Sequence, residues 1–222
     1  MLFQINSLSF SYPGNTSPVL AVDSFELREA ERVFVQGRSG SGKSTFLNLL
    51  AGVLLSPPNT IFYKGQDYSM LKPAQRDRLR ASDMGIVFQQ FNLLPFLSAE
   101  ENVLLPFLFI KQDTLIASLR ERAAELFAHL KLTKSQLEKP VYELSVGQQQ
   151  RVAVVRALIH KPKLILADEP TSSLDTEVRD DFIRLLLQES ETIGAAVVFV
   201  SHDPGLERHF TKTLHLKQVK QQ

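Results

Sequence analysis

The segment Gly37-Arg38-Ser39-Gly40-Ser41-Gly42-Lys43-Ser44-Thr45 sets a lysine and two hydroxyl side chains directly behind a glycine-rich run. Its spacing is that of a phosphate loop, G-x-x-x-x-G-K-[ST]. Glycines there let successive backbone N–H groups turn inward around phosphate oxygens, and a helix starting at the lysine adds the positive end of its dipole. Lys43 supplies a mobile full charge, and the Ser44 hydroxyl is a ligand for Mg²⁺. Farther on, Asp168-Glu169-Pro170 closes an apolar run. A carboxylate at a buried strand end is costly unless a cation or donor meets it, and Mg²⁺ beside the phosphates would satisfy Asp168. Glu169, one residue later, can reach a water in line with the γ-phosphate and act as general base. Gln89 follows a second such run, and His202 in Ser201-His202-Asp203 follows another. An amide can bond water or Mg²⁺; an imidazole can bond a γ-phosphate oxygen or orient the attacking water.

These residues act together only if their apolar runs lie side by side. The runs are Val33-Phe34-Val35, Gly85-Ile86-Val87-Phe88, Leu164-Ile165-Leu166-Ala167 and Val197-Val198-Phe199-Val200. Each is short, rich in branched or aromatic residues, and ends abruptly in polar or glycine residues, as strands buried on both faces do. Helical patterns between them imply a mostly parallel sheet, whose ligands bind beyond the carboxyl ends of the strands. Residues 3–36 alternate apolar and polar around a Pro13-Gly14 turn and read as half-buried antiparallel strands. Helices are expected over residues 115–130, where apolar side chains recur at three- and four-residue spacing, and over about 146–160 and 177–191. The apolar stretch 88–110 is interrupted by Pro95, Glu100, Glu101 and Pro106, which suits a buried or partner-facing segment and not a membrane span.

At 222 residues, 44% hydrophobic and 22% charged, the chain has the composition of a globular domain. A net charge of +1 argues against a dedicated nucleic-acid surface or polybasic anchor. With no cysteine, thiolate metal sites, disulfides and cysteine nucleophiles drop out. The first residues lack a basic segment leading into a long apolar run, so no leader is expected there.

With LSVGQQQR, LILADEP, SSLD and SHD in order behind the phosphate loop, the chain resembles the ATP-binding subunits of ABC transporters. The resemblance covers nearly the whole length. It implies an α/β fold: a P-loop NTPase core with a mostly parallel sheet, an N-terminal antiparallel β-subdomain and an inserted α-helical subdomain. The core would take residues 1–90 and 161–222 and the helical part 91–160, within a single domain over 1–222. It implies ATP and Mg²⁺ as ligands and a head-to-tail homodimer, each ATP lying between the phosphate loop of one subunit and the LSGGQ-type segment of the other. By matching position, Tyr12 stacks on adenine, Gln89 is the Q-loop glutamine, and Ser44, Gln89 and Asp168 surround the metal. Glu169 and His202 act with Gln89 in hydrolysis. Ser145, Val146, Gly147, Gln148 and the D-loop Asp175 face the partner's ATP.

The stretches Met84-Gly85-Ile86-Val87-Phe88-Gln89, Phe91-Asn92-Leu93-Leu94-Pro95 and Glu101-Asn102-Val103 are similar to ATPases of the lipoprotein-release and macrolide-export type. That similarity implies an integral membrane permease as partner, no nucleic acid, and a place at the cytoplasmic face of the membrane. Leu93, Leu94 and Phe96 are then expected as an exposed dock for a permease helix. Two features depart from the group: Ser172-Ser173 before Leu174-Asp175, and a C-terminal Lys212-Thr213-Leu214-His215 without the usual Arg-Val and closing glycine turn. A soluble ATPase of nucleic acid or ribosomes is the competing reading, but repair-type members need a long inserted coiled coil and translation-type members two tandem domains. A module that no longer hydrolyses ATP would have little use for Lys43, Asp168, Glu169 and His202 together. Val146 replaces a glycine of the LSGGQ type and is expected to alter closure without abolishing activity.

Overall fold

The computed structural model describes residues 1–15, 17–108, 113–171 and 176–219. Its strands are β1 (Phe3–Phe10), β2 (Leu20–Leu27), β3 (Arg32–Gln36), β4 (Ile61–Tyr63), β5 (Gln66–Asp67), β6 (Met84–Val87), β7 (Leu164–Asp168), β8 (Ala196–Ser201) and β9 (Lys212–His215). The helices are α1 (Lys43–Leu50), α2 (Pro73–Asp83), α3 (Ala99–Leu104), α4 (Asp113–His129), α5 (Lys134–Leu137), α6 (Val146–Leu158) and α7 (Thr176–Thr192). The apolar runs do lie together. They form a parallel sheet in the order β6-β7-β8-β3-β9, so residues 37, 89, 169 and 202 all emerge at the same edge.

Both faces of that sheet are covered, which is why its strands lack polar alternation. Phe34, Ile165, Ala167, Val197 and Phe199 pack against the helices on one side. Val33, Val35, Leu164, Leu166 and Val198 pack with α1 and the antiparallel sheet on the other. The antiparallel sheet runs β2-β1-β4-β5 and buries one face only. Its alternation changes phase at Ser7, whose φ of 45° is left-handed, so that Phe3 and Ile5 before it and Leu8 and Phe10 after it all turn inward.

Several expectations change in detail. Only the part of 3–36 up to Leu27 is antiparallel; residues 32–36 join the parallel sheet as β3. The edge strand β9 was not expected, because Lys-Thr-Leu-His has no apolar run, and it pairs in parallel with β3. Inside the 88–110 stretch lies α3, opened by a reciprocal capping box between Ser98 and Glu101. Residues 109 and 110 of that stretch, and Ser172, Ser173, Leu174 and Asp175, lie outside the described residues. Leu93 is not part of an exposed dock: it is half-buried against the helical core, while Leu94 and Phe96 project outward.

The loop between Gln89 and α3 is held from beneath. Asn102, almost fully buried, accepts from the Leu94 amide at 2.7 Å and donates to the carbonyls of Leu94, Leu97 and Ser98 at 3.0, 3.2 and 3.0 Å. Arg156 on α6 donates to the Asn92 carbonyl at 2.7 Å and to that of Phe91. Phe91 and Asn92 are left-handed, with φ of 57° and 46°, which turns Leu93 inward and aims the following residues out.

Candidate nucleotide site

At the carboxyl edge of the sheet, Gly37 to Gly42 wrap around the Lys43 side chain and α1 starts at the lysine itself. Two glycines leave little room for a side chain. A Cβ on Gly37 would fall 2.2 Å from Ser41 Oγ, and one on Gly42, whose φ is 87°, 2.8 Å from the Val19 carbonyl. Lys43 Nζ donates to the carbonyls of Gly37 at 2.9 Å and Arg38 at 3.2 Å and lies 3.4 Å from Glu169 Oε1. Its charge thus sits inside the loop its own backbone forms. Ser39, Gly40, Gly42, Lys43, Ser44 and Thr45 line a cleft of about 300 Å³ with Gln89, Asp168 and Glu169. The Tyr12 and Thr45 hydroxyls are 3.1 Å apart, and the Tyr12 ring stands edge-on to Phe10, half in solvent, as an aromatic wall near the loop.

Asp168 ends β7 and its carboxylate bonds the Ser44 hydroxyl. Burial pushes its pKa above the ordinary carboxylate value and Glu169 adds to this, while the Ser44 bond and Lys43 pull the other way. A partly buried carboxylate whose ionised form is disfavoured by burial suits a hard divalent cation, and Ser44, Asp168 and Gln89 offer a hydroxyl, a carboxylate and an amide oxygen. No cluster of three or more His, Cys, Asp or Glu side chains exists among the described residues that would hold a metal alone.

Glu169 is left-handed, with φ of 44°, a conformation costly for a non-glycine residue and frequent at working sites. Its amide donates to the Val200 carbonyl at 3.0 Å, which fixes the turn. One carboxylate oxygen faces Lys43, and the other lies 2.6 Å from His202 Nδ1. The structure therefore brings the phosphate loop, Gln89, Asp168, Glu169 and His202 into one place.

Ser145, Val146, Gly147 and Gln148 do not line that cleft. They open α6, where Ser145 and Gln148 cap one another: Gln148 N donates to Ser145 Oγ at 3.3 Å, and Ser145 N donates to Gln148 Oε1 at 2.9 Å. Val146 is 52% exposed, and a Cβ on Gly147 would meet nothing within 4 Å. Nothing among the described residues demands a glycine at 147. Asp175 lies outside the described residues.

Two supporting residues escaped sequence reasoning. Gln150, almost fully buried, donates to the Pro170 carbonyl at 3.2 Å and ties α6 to the acidic turn; its signal was a polar residue on the inward stripe of an amphipathic helix. Arg179 on α7 pairs with Asp203, the neighbour of His202. No local pattern marks two residues so far apart in sequence.

Comparison with known proteins gives the same picture. The ABC transporter family model matches residues 20–172, more than half of the chain. The lipoprotein-releasing system ATP-binding protein LolD of Pseudomonas fluorescens is 40% identical over 200 residues, 90% of this chain and 87% of that protein. The macrolide export ATP-binding/permease protein MacB of Syntrophobacter fumaroxidans is 40% identical over 191 residues, 85% of this chain; the match spans only 26% of MacB. The ATP-binding cassette MJ0796, solved as a dimer in a post-hydrolysis state with ADP and Pi, superposes with a TM-score of 0.83 at 32% identity, covering 97% of this chain and 94% of that one. With its phosphate loop, its acidic strand end and its histidine at one sheet edge, the chain belongs to the ABC transporter family and is an ATP-hydrolysing cassette of the P-loop NTPase fold.

Proposed function

We propose that the chain is the ATPase half of a two-part membrane machine: two copies close head to tail on ATP and drive a separate permease. The observation that carries this reading is the separation of the α6 start from the cleft around Lys43. Ser145, exposed Val146 and unconfined Gly147 present a helix N-terminus, a surface suited to phosphate, that meets no phosphate site of its own subunit. A second copy would supply one.

On this reading Tyr12 stacks on adenine, and the loop N–H groups with Arg38, Ser39 and Ser41 surround the phosphates. Lys43 exchanges its carbonyl and Glu169 contacts for phosphate oxygens. Ser44, Asp168 and Gln89 would hold Mg²⁺, which neutralises charge on the phosphates. Glu169 takes the proton of the attacking water, and His202 bonds the γ-phosphate. Ser145, Val146, Gly147, Gln148 and Asp175 of the partner close the site. We assign ATP binding to residues 1–90 and 161–222, and presentation of the α6 start to 91–160.

For the permease the candidate dock is the outward part of the loop after Gln89. Phe96 is 85% exposed, with Leu94 and Tyr142 also exposed nearby, and the Tyr142 amide donates to the Pro95 carbonyl at 3.3 Å. An exposed phenylalanine on a loop whose backbone is hydrogen-bonded on both sides of it has no use to the free subunit and suits a partner's apolar groove. The loop runs from Gln89 in the cleft to Phe96 at the surface, so a change at the phosphates reaches the dock through a few residues. We place the chain at the cytoplasmic face of the membrane, attached through the permease; no helix among the described residues is long and apolar enough to cross a membrane. The likeness to LolD and MacB supports a lipoprotein-release or macrolide-export type of machine, with no nucleic acid involved.

The test is co-purification from detergent-solubilised membranes. An integral membrane protein should come with the wild type and be lost with Phe96→Ala, ATP binding unchanged. Recovery with ribosomes, or an undiminished membrane partner in the variant, would contradict the proposal.

A further inference from the structure

We propose that Arg179 is a positioning residue for His202, acting through Asp203. The proposal rests on the reading that His202 bonds the γ-phosphate. His202 does not hold itself in place: its ring is 62% exposed, and among the described residues its ring hydrogen bond is the 2.6 Å contact from Nδ1 to Glu169 Oε2, the very contact that ATP would replace. Where the imidazole stands is therefore decided by its backbone, and the backbone is fixed one residue later.

Asp203 is gripped on three sides. Its amide donates to Ser201 Oγ at 3.1 Å, and Ser201 is buried at the end of β8. Its Oδ1 accepts from the Gly205 amide at 2.9 Å, which opens the turn that follows. Its Oδ2 pairs with Arg179 Nη1, the two side chains being 20% and 30% exposed. Only the last of these contacts leaves the segment. Arg179 projects from α7, which is seated in the core by Phe182, Ile183 and Leu186. The link thus runs from a rigid helix to the residue beside the imidazole.

A largely buried ion pair is a poor source of stability, since desolvation about offsets the attraction. Its value here is geometric. Displacing a reacting group by about 1 Å can cost on the order of 10²-fold in rate. Loss of Arg179 leaves the β8 strand and the turn intact and frees the Asp203 carboxylate, so a smaller drop of about tenfold is expected.

The experiment is a double-mutant cycle on the purified full chain, reading kcat and KM for ATP separately. Arg179→Ala should lower kcat about tenfold with KM within about twofold, and Arg179→Lys, which can still reach Asp203, should recover most of it. Asp203→Asn, which keeps the acceptor for Gly205 and discards the charge, should reproduce the loss by a second route. In a His202→Ala background, itself nearly inactive, Arg179→Ala should have no further effect. If His202→Ala is inactive and Arg179→Ala either changes nothing or lowers kcat equally in both backgrounds, the positioning role is wrong and the site reading stands. If His202→Ala keeps wild-type kcat, the site reading falls and this inference with it.

Discussion

His202 Nδ1 lies 2.6 Å from one carboxylate oxygen of Glu169, while Lys43 Nζ lies 3.4 Å from the other. Glu169 is thus clasped between the two groups that ATP would recruit: the lysine to the phosphates, the histidine to the γ-phosphate. On the proposed reading of the site, Glu169 is occupied before ATP binds and its oxygens become available to water once both partners are drawn away, which would make nucleotide binding and activation of the base one event.

Glu169→Gln should therefore slow turnover by at least about 10²-fold, the usual order for a lost general base, and leave ATP affinity near wild type. Steady-state hydrolysis and equilibrium titration check the two halves. An unchanged rate would remove Glu169 from that role.

Asp168→Asn should separate stability from activity. Burial, aided by Glu169, raises the Asp168 pKa, against the Ser44 bond and Lys43. A carboxyl whose folded pKa is raised binds more protons folded than unfolded, so stability falls as pH rises through the window just above the ordinary carboxylate value and stays reduced at neutral pH. The neutral amide escapes that penalty. In nucleotide-free protein at pH 7 its Tm should exceed the wild type's, with the difference vanishing towards pH 4, while hydrolysis in Mg²⁺ is largely lost. A lower Tm at pH 7 would mean that the carboxylate is already fully compensated.

Val146→Gly should change turnover modestly, within about tenfold. A β-branched residue in the first turn of α6 costs only a few tenths of a kcal/mol in helix propensity, and its side chain is free in this subunit. Ser145 and Gln148 keep their capping box whichever residue stands at 146. A rise of several orders of magnitude would show that the valine brakes closure.

What the sequence made legible was chemistry local in the chain. Gly37 to Thr45 and Asp168-Glu169 announce themselves because a phosphate loop and a strand-end carboxylate pair are contiguous, and the buried runs that carry them are continuous because both sheet faces are covered. The capping boxes of α3 and α6 are equally local, Ser98 with Glu101 and Ser145 with Gln148, yet neither pairing is part of the sequence reading. Leu93 and Leu94 could not be told apart: which one turns inward is decided by left-handed Phe91 and Asn92 and by Asn102 and Arg156, farther along the chain. β9 was hidden for a related reason, since an edge strand borrows its pairing from β3 and needs no apolar run of its own.

If one subunit's α6 start completes the other's ATP site, as proposed, light scattering of the Glu169→Gln protein with ATP and Mg²⁺, alone and carrying Ser145→Arg, will show it. The expected masses are two chains with ATP, one chain without it, and one chain in both conditions once Ser145 is replaced. A single-chain mass for Glu169→Gln at saturating ATP, or a dimer indifferent to Ser145→Arg, would contradict it.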